Sequence, residues 1–140
     1  MDFTMLGPAI VLGFGCIGSA IGCGIAGMAL HAVISRVEEN HGPLIGMSAM
    51  PSSQSIYGFV LMILMKNNIK LGLLSPVNAI GIGVSVGVAI MFSAIYQGMC
   101  AASGIQASAK QPAVIGKCFA TLGIVESFAL FAFVFALLII

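Results

Sequence analysis

The sequence predicts an all-α membrane protein whose four transmembrane helices form two tandem helical hairpins. Three observations predict it. Hydrophobic residues make up 60% of the 140 residues and charged residues only 6%, against roughly 25% charged in soluble domains, and the mean hydropathy is +1.17. The apolar residues fall into four stretches, each long enough for a bilayer span of about 20 residues. Short polar connections separate these stretches, and the second half of the chain repeats the first.

The first stretch, 5–34, begins almost at Met1. It has no basic leader and is too long for a cleaved signal peptide, so it is expected to persist as a helix. Gly15, Ser19, Gly22, Ala26 and Ala29 follow steps of four and three and line one face. In lipid, such a small-residue stripe lets helix backbones approach closely. Two strings here, Gly13 to Gly18 and Gly22 to Gly27, read GxGxxG, but no strand precedes either, so a nucleotide site is not expected.

Arg36, Glu38, Glu39, Asn40 and Pro43 mark the first connection, before the second stretch, 44–65. That stretch carries Pro51, Ser52, Ser53, Gln54, Ser55 and Tyr57, then bulk in Phe59, Met62 and Met65. Lys66, Asn67, Asn68 and Lys70 mark the second connection. The third stretch, 73–108, repeats the small-residue stripe with Gly83, Gly87, Ala94, Gly98 and Ala101, and also contains Gln97. After Lys110, Gln111, Pro112 and Lys117, the last stretch, 116–140, holds Phe128, Phe131, Phe133, Phe135 and Glu126. The glycine-rich helices suit an inner layer and the bulky ones a lipid-facing outer layer. Connections this short pair sequential helices as hairpins. Three cations at the first and third connections against two at the second favour a cytoplasmic placement of the former.

The repeat spans about 70 residues. Gly7-Pro8 returns as Ser75-Pro76, Gly13-Phe14-Gly15 as Gly81-Ile82-Gly83, and Ile45-Gly46 as Ile115-Gly116. Gln54-Ser55 returns as Glu126-Ser127, with Phe59 and Phe131 at the same interval. The expected units are a first hairpin, residues 1–70, with Gln54 at the ion-site position, and a second, 71–140, carrying Glu126. Two spans per unit insert both copies in the same orientation.

Glu126 is the only acidic residue inside the four stretches, and Lys117, at the very start of the last, is the only basic one. A carboxylate at bilayer depth costs roughly 3 kcal/mol or more, so such groups pair with something and mark ion or proton paths. Counting from a turn at 111 or 112, Gln97 and Glu126 each lie about 14 residues away and reach one depth. Gln54 reaches the same depth in the first hairpin, with Ser53 beside it. Pro51 frees backbone oxygen nearby, and by helix arithmetic the freed carbonyl is that of Met47. Carbonyl, hydroxyl, amide oxygens and one carboxylate make an all-oxygen cage suited to a monovalent hard cation, hence Na+. Ser52 and Ser55 read as interhelical hydrogen-bond glue, and Tyr57 as either a carboxylate partner or a core aromatic. His31 and His41 read as interfacial. Cys16, Cys23, Cys100 and Cys118 show no ligand spacing and read as packing residues.

Pro51 through Phe59, Tyr96-Gln97-Gly98, Ala101 through Gln106, and Val125-Glu126-Ser127, set in a duplicated glycine-rich hairpin, resemble the membrane rotor proteolipid (K or c) of V-type and archaeal-type ATPases. The resemblance implies a homo-oligomeric rotor ring of identical subunits, turned by ATP hydrolysis in a soluble head through central-stalk subunits. A stator membrane subunit with half-channels would load and unload each carboxylate. It also implies ion ligands at Glu126, Gln97, Gln54, Ser53 and the Met50 backbone carbonyl, with Tyr57 as partner of the carboxylate. Ser53 stands where Na+-translocating members often carry threonine, and the hydroxyl is kept. With Gln54 in place of a second carboxylate, one ion rides on four helices, which favours pumping over synthesis. The setting implied is the cytoplasmic membrane of a prokaryote, multi-pass in the lipid bilayer, with no catalytic site in this chain and no tightly bound cofactor.

A net charge of +1 offers no basic patch, so nucleic acid is not an expected partner. The same ring carrying H+ is the nearest alternative, since a proton needs only Glu126. A small four-helix multidrug transporter fits less well, because its glutamate belongs in the first helix, and a structural scaffold or holin leaves Glu126 unexplained.

Overall fold

The computed structural model describes residues 3–140, and among them every regular element is a helix. Helix α1 (Leu6–Ile34) leads through a short connection into α2 (His41–Ala49), a 3-10 turn at Met50–Ser52, and α3 (Ser53–Lys70). Helix α4 (Pro76–Lys110), a 3-10 turn at Pro112–Val114, and α5 (Ile115–Leu137) complete the chain. Leu6–Ile34, Pro76–Lys110 and Pro112–Leu137 are long and apolar enough to cross a membrane. The second expected span is helical over a longer range than its apolar stretch, but it is divided between α2 and α3. Pro51 has no N–H for the carbonyl four residues back, so the ladder tightens to 3-10 geometry there.

Local chemistry sets the ends. Asn40, at the first turn, is left-handed (φ 65°), a conformation its short polar side chain tolerates. Helix α3 stops at Gly72 (φ 72°), with Leu73 N–H donating back to Asn68 O, a closure that glycine makes without steric cost. Ser75 caps α4 by accepting from Asn78 N–H at 3.2 Å, and Pro76 follows in the first turn, where its missing N–H costs nothing. Pro112 holds Gln111 extended (φ −141°, ψ 90°), which ends α4. Lys66 and Lys70, assigned to the second connection from the sequence, ride in the last turns of α3, and Lys117 rides in the first turn of α5.

Helices α1 and α4 run parallel and form the inner layer. A Cβ at Gly7 would meet the backbone of Ala79, one at Gly18 that of Met91, and one at Gly22 that of Ala94. The partners advance together along both helices. Helix α3 is antiparallel to α1, with Gly15 over Gln54 and Gly58. Helix α5 is antiparallel to α4, with Ser93 bonded to Val125 and Gly104 against Cys118. Both predicted small-residue stripes are buried at every position. At 29 and 35 residues, α1 and α4 extend roughly 44 and 52 Å, beyond a hydrocarbon layer of about 30 Å.

The bulky outer layer holds for Phe59, Phe128, Phe131 and Phe135, all exposed. It fails for Met65, which is fully buried, and for Met62 and Phe133, which pack against the core. Met65 follows Leu61 by one turn, so both point at the inner helices, while Phe133 lies 5.9 Å from the Tyr57 ring. Two apolar clusters fill the interior. One centres on Val11, Leu61, Met65 and Ile90, the other on Leu30, Leu44, Met47, Ile105 and Leu122. The polar residues of α3, α4 and α5 lie between them.

Candidate ion site

Helices α3, α4 and α5 bring Ser53, Gln54, Tyr57, Gln97 and Glu126 together; the sequence placed Gln54, Gln97 and Glu126 at one depth and left Tyr57 between two roles. Gln54 and Gln97 are fully buried, and Ser53, Tyr57 and Glu126 are half-buried. Ser53 Oγ donates to Glu126 Oε1 at 2.6 Å and Tyr57 OH donates to the same oxygen at 2.9 Å. On the other carboxylate oxygen, Gln97 Nε2 stands at 3.4 Å while donating to Leu122 O at 3.1 Å. Gln54 Nε2 donates to Gln97 Oε1 at 2.9 Å, which joins the two amides across the hairpins.

Ser53 Oγ also lies 3.0 Å from Met50 O and 3.2 Å from Gln54 Oε1. One hydroxyl carries one proton, and the shortest, charge-assisted bond to Glu126 takes it. Met50 O and Gln54 Oε1 are then left facing another oxygen with no proton between them. The 3-10 turn explains how Met50 joins: it brings Ser53 back over the carbonyl three residues earlier. Of the two carbonyls considered from the sequence, that of Met50 lies against Ser53 Oγ, at 3.0 Å.

Glu126 forms no ion pair among the described residues, so nothing described in the chain supplies a positive charge to this carboxylate at membrane depth. Three hydrogen bonds reach its two oxygens, and a carboxylate charge without a cationic partner is a costly state in low dielectric. A small hard cation at the converging oxygens would balance the charge and relieve the oxygen contacts. The donor set is one carboxylate plus neutral oxygens. Among the described residues there is no group of three or more His, Cys, Asp or Glu that could hold a metal. All four cysteines are free thiols.

Two supporting serines escaped the sequence reading as polar groups. Ser19 Oγ accepts from Ser55 N–H at 3.0 Å, and Ser93 Oγ donates to Val125 O at 2.9 Å. Each ties an outer helix to its inner partner at the depth of the site. The signal was present, since Ser19-Ala20-Ile21 recurs as Ser93-Ala94-Ile95. Ser52 is not interhelical glue: its hydroxyl turns back to Ala49 O at 2.7 Å on an exposed face. At Ser55 the interhelical bond is made by the backbone N–H. His31 and His41 are exposed toward the first connection.

Residues 6–65 and again 80–139 match the C-subunit family of the ATP synthases. The chain is 32% identical to the V-type sodium ATPase subunit K of Enterococcus hirae, over all of this chain and 91% of that protein. It is 30% identical to the A-type ATP synthase subunit K of Methanocaldococcus jannaschii, over 96% of this chain and 60% of that longer protein. The two family matches start at residues 6 and 80, 74 apart. An offset of 74 pairs Ser19 with Ser93 and Gly13 with Gly87, whereas Gln54 and Glu126 are 72 apart and Gly13 and Gly81 are 68 apart.

Proposed function

The chain belongs to the ATP synthase C-subunit family, and from that premise we propose that it is the ion-carrying subunit of a V-type ATPase rotor ring, moving Na+ across the membrane on Glu126. Transport is coupled to ATP hydrolysis in other subunits. The observation that carries this reading is the cluster of Met50 O, Gln54 Oε1 and Glu126 Oε1 around Ser53 Oγ, beside a carboxylate with no cationic partner among the described residues. The full-length likeness to a sodium ATPase subunit supports Na+ as the cargo.

In this reading Ser53, Gln54, Gln97 and the Met50 carbonyl bind the ion with Glu126. Tyr57 stays on the carboxylate and holds it toward the site. The neutralised carboxylate can pass through lipid, and a stator subunit with half-channels unloads it. Moving one charge against 100 mV takes about 2.3 kcal/mol, supplied by the soluble head through the central stalk. Residues 1–70 and 71–140 act as the two hairpins of one subunit, in a ring of like copies in the cytoplasmic membrane of a prokaryote.

The deciding measurement is carbodiimide labelling of Glu126 at fixed pH with and without Na+. Millimolar Na+ is expected to protect the carboxyl; equal labelling at every Na+ concentration would instead assign the site to protons. A second measurement concerns Ser53. A hydrogen bond or ligand contact to a charged group contributes about 1.5–3 kcal/mol, so Ser53→Ala should raise the half-protecting Na+ concentration roughly 10- to 100-fold. Ser53→Thr, which keeps the hydroxyl, should leave it near the parent value. An alanine variant protected at the parent concentration would remove Ser53 from the ligand set.

A further inference from the structure

We propose that Ser19, on α1, is a positioning residue for the ion site: its hydroxyl caps the start of α3 from a neighbouring helix and so holds Ser53 and Gln54 against Glu126. The proposal deepens the ion-carrier reading and rests on it. Helix α3 begins at Ser53, directly after the 3-10 turn that contains Pro51. The N–H groups in a helix's first turn lie outside its own ladder and need oxygens from elsewhere. Ordinarily the residue just before the helix supplies one, its side chain accepting from the second or third N–H. Ser52 holds that place but makes no such bond, and its hydroxyl donates backwards to Ala49 O at 2.7 Å. The third N–H of α3, that of Ser55, donates instead to Ser19 Oγ at 3.0 Å.

The residues around Ser19 hold that contact in place. Ser19 is buried and lies one turn from Gly15, where a Cβ would stand 3.0 Å from Gln54 O and 3.7 Å from Ser55 Cα. On its other side, a Cβ at Gly22 would stand 2.8 Å from Pro51 Cβ. Three successive members of the small-residue stripe of α1 therefore bear on Pro51, Gln54 and Ser55, and Ser53 lies between these points. Its hydroxyl is the one that reaches Glu126 Oε1, at 2.6 Å. Ser53 and Gln54 precede Ser55 by two residues and one, so a shift of the Ser55 N–H passes to both through the backbone.

The counterpart serine does a different job. Ser93 stands 74 residues after Ser19, the offset between the two family matches, yet its hydroxyl donates to Val125 O at 2.9 Å. Val125 lies well inside α5, so the helix ladder already uses its carbonyl, and removing Ser93 Oγ deprives no backbone group of its only partner. Ser19 has the opposite polarity, because it accepts from an N–H that the ladder of α3 does not reach. At bilayer depth no water replaces a lost acceptor, and an unsatisfied N–H is expensive. With alanine at position 19, the empty site relieves that cost by letting the start of α3 slip toward another oxygen. Binding Na+ requires the original turn and restores the cost, so the penalty falls on ion affinity and spares the rate at saturating Na+.

The test compares Ser19→Ala, Ser93→Ala and the parent in the complete ATPase reconstituted into vesicles. It reads the protection of Glu126 from carbodiimide by Na+ at fixed pH, and the Na+ dependence of ATP-driven uptake. Alanine is no larger than serine, so both variants keep the helix seams. Ser19→Ala should raise the half-protecting and half-saturating Na+ concentrations together, by roughly 10-fold, with the maximal rate within about twofold of the parent. Ser93→Ala should shift them far less. Parent-like Na+ dependence in Ser19→Ala would overturn the proposal, and so would equal shifts in the two variants, which would make the bond ordinary seam packing. A lower maximal rate at unchanged half-saturation would overturn it as well, by assigning Ser19 to the build of the rotor and not to the site. Absence of Na+ protection in the parent itself would instead overturn the sodium reading beneath the proposal.

Discussion

Glu126→Gln should reduce ATP-driven Na+ uptake into reconstituted vesicles to background and abolish carbodiimide labelling, while the protein still inserts and assembles. The substitution keeps size and hydrogen-bonding shape but removes the one negative charge among the side chains of the site. Ser53 and Tyr57 can still donate to the amide oxygen at the place of Oε1, and Gln97, which only approaches the other position at 3.4 Å, keeps its bond to Leu122 O, so the packing is largely retained. What is lost is the charge that offsets a bound cation, and in low dielectric neutral oxygens cannot replace it. The sequence motif Gln54-Ser55 matches Glu126-Ser127, and Gln54 itself shows a buried amide in the cluster, bonded to Gln97. Residual labelling at another membrane carboxyl, or transport above background, would remove Glu126 from its assigned role.

The second large effect is expected at Gly98. A Cβ there would run into the carbonyl, Cα and C of Gly22. All three are backbone atoms, and Gly22 has no side chain that could rotate away. Gly98→Leu should therefore force α1 and α4 apart along their whole contact and cost more than the roughly 1–3 kcal/mol typical of overpacked cores. Little folded protein should be recovered, with a lower thermal midpoint in detergent. Gly123→Leu on α5, where a Cβ meets nothing within 4 Å, should behave like the parent. Equal melting of the Gly98 variant and the parent would mean that the inner helices do not approach this closely.

Much of this arrangement was legible in the sequence because membrane helices leave strong traces. Apolar run length gave three spans that single helices match and a fourth that Pro51 divides, small residues at steps of three and four gave the inner faces, and counting from each turn put Gln54, Gln97 and Glu126 at one depth. Less legible was whatever depends on backbone detail. Pro51 announces a disturbed helix, but whether it presents the Met47 or the Met50 carbonyl depends on the ladder tightening to 3-10 geometry. Met65 and Phe133 read as lipid-facing because hydrophobicity in a membrane protein does not distinguish lipid from core. The pairing of the two halves is ambiguous for a related reason: glycines recur so often that Gly13 finds a plausible match at both Gly81 and Gly87.

The parallel α1–α4 pair inside one chain bears on how an assembly forms. Each association of free partners forfeits translational and rotational freedom worth roughly 4–15 kcal/mol. In this protein the turn at residues 71–75 makes every second helix-to-helix encounter intramolecular, at the high effective concentration of a short tether. A closed assembly of a given helix number thus needs half as many bimolecular encounters as one built from separate hairpins. The tether also fixes which hairpin follows which, so a carboxylate-bearing helix and an amide-bearing one alternate without any recognition step to sort them.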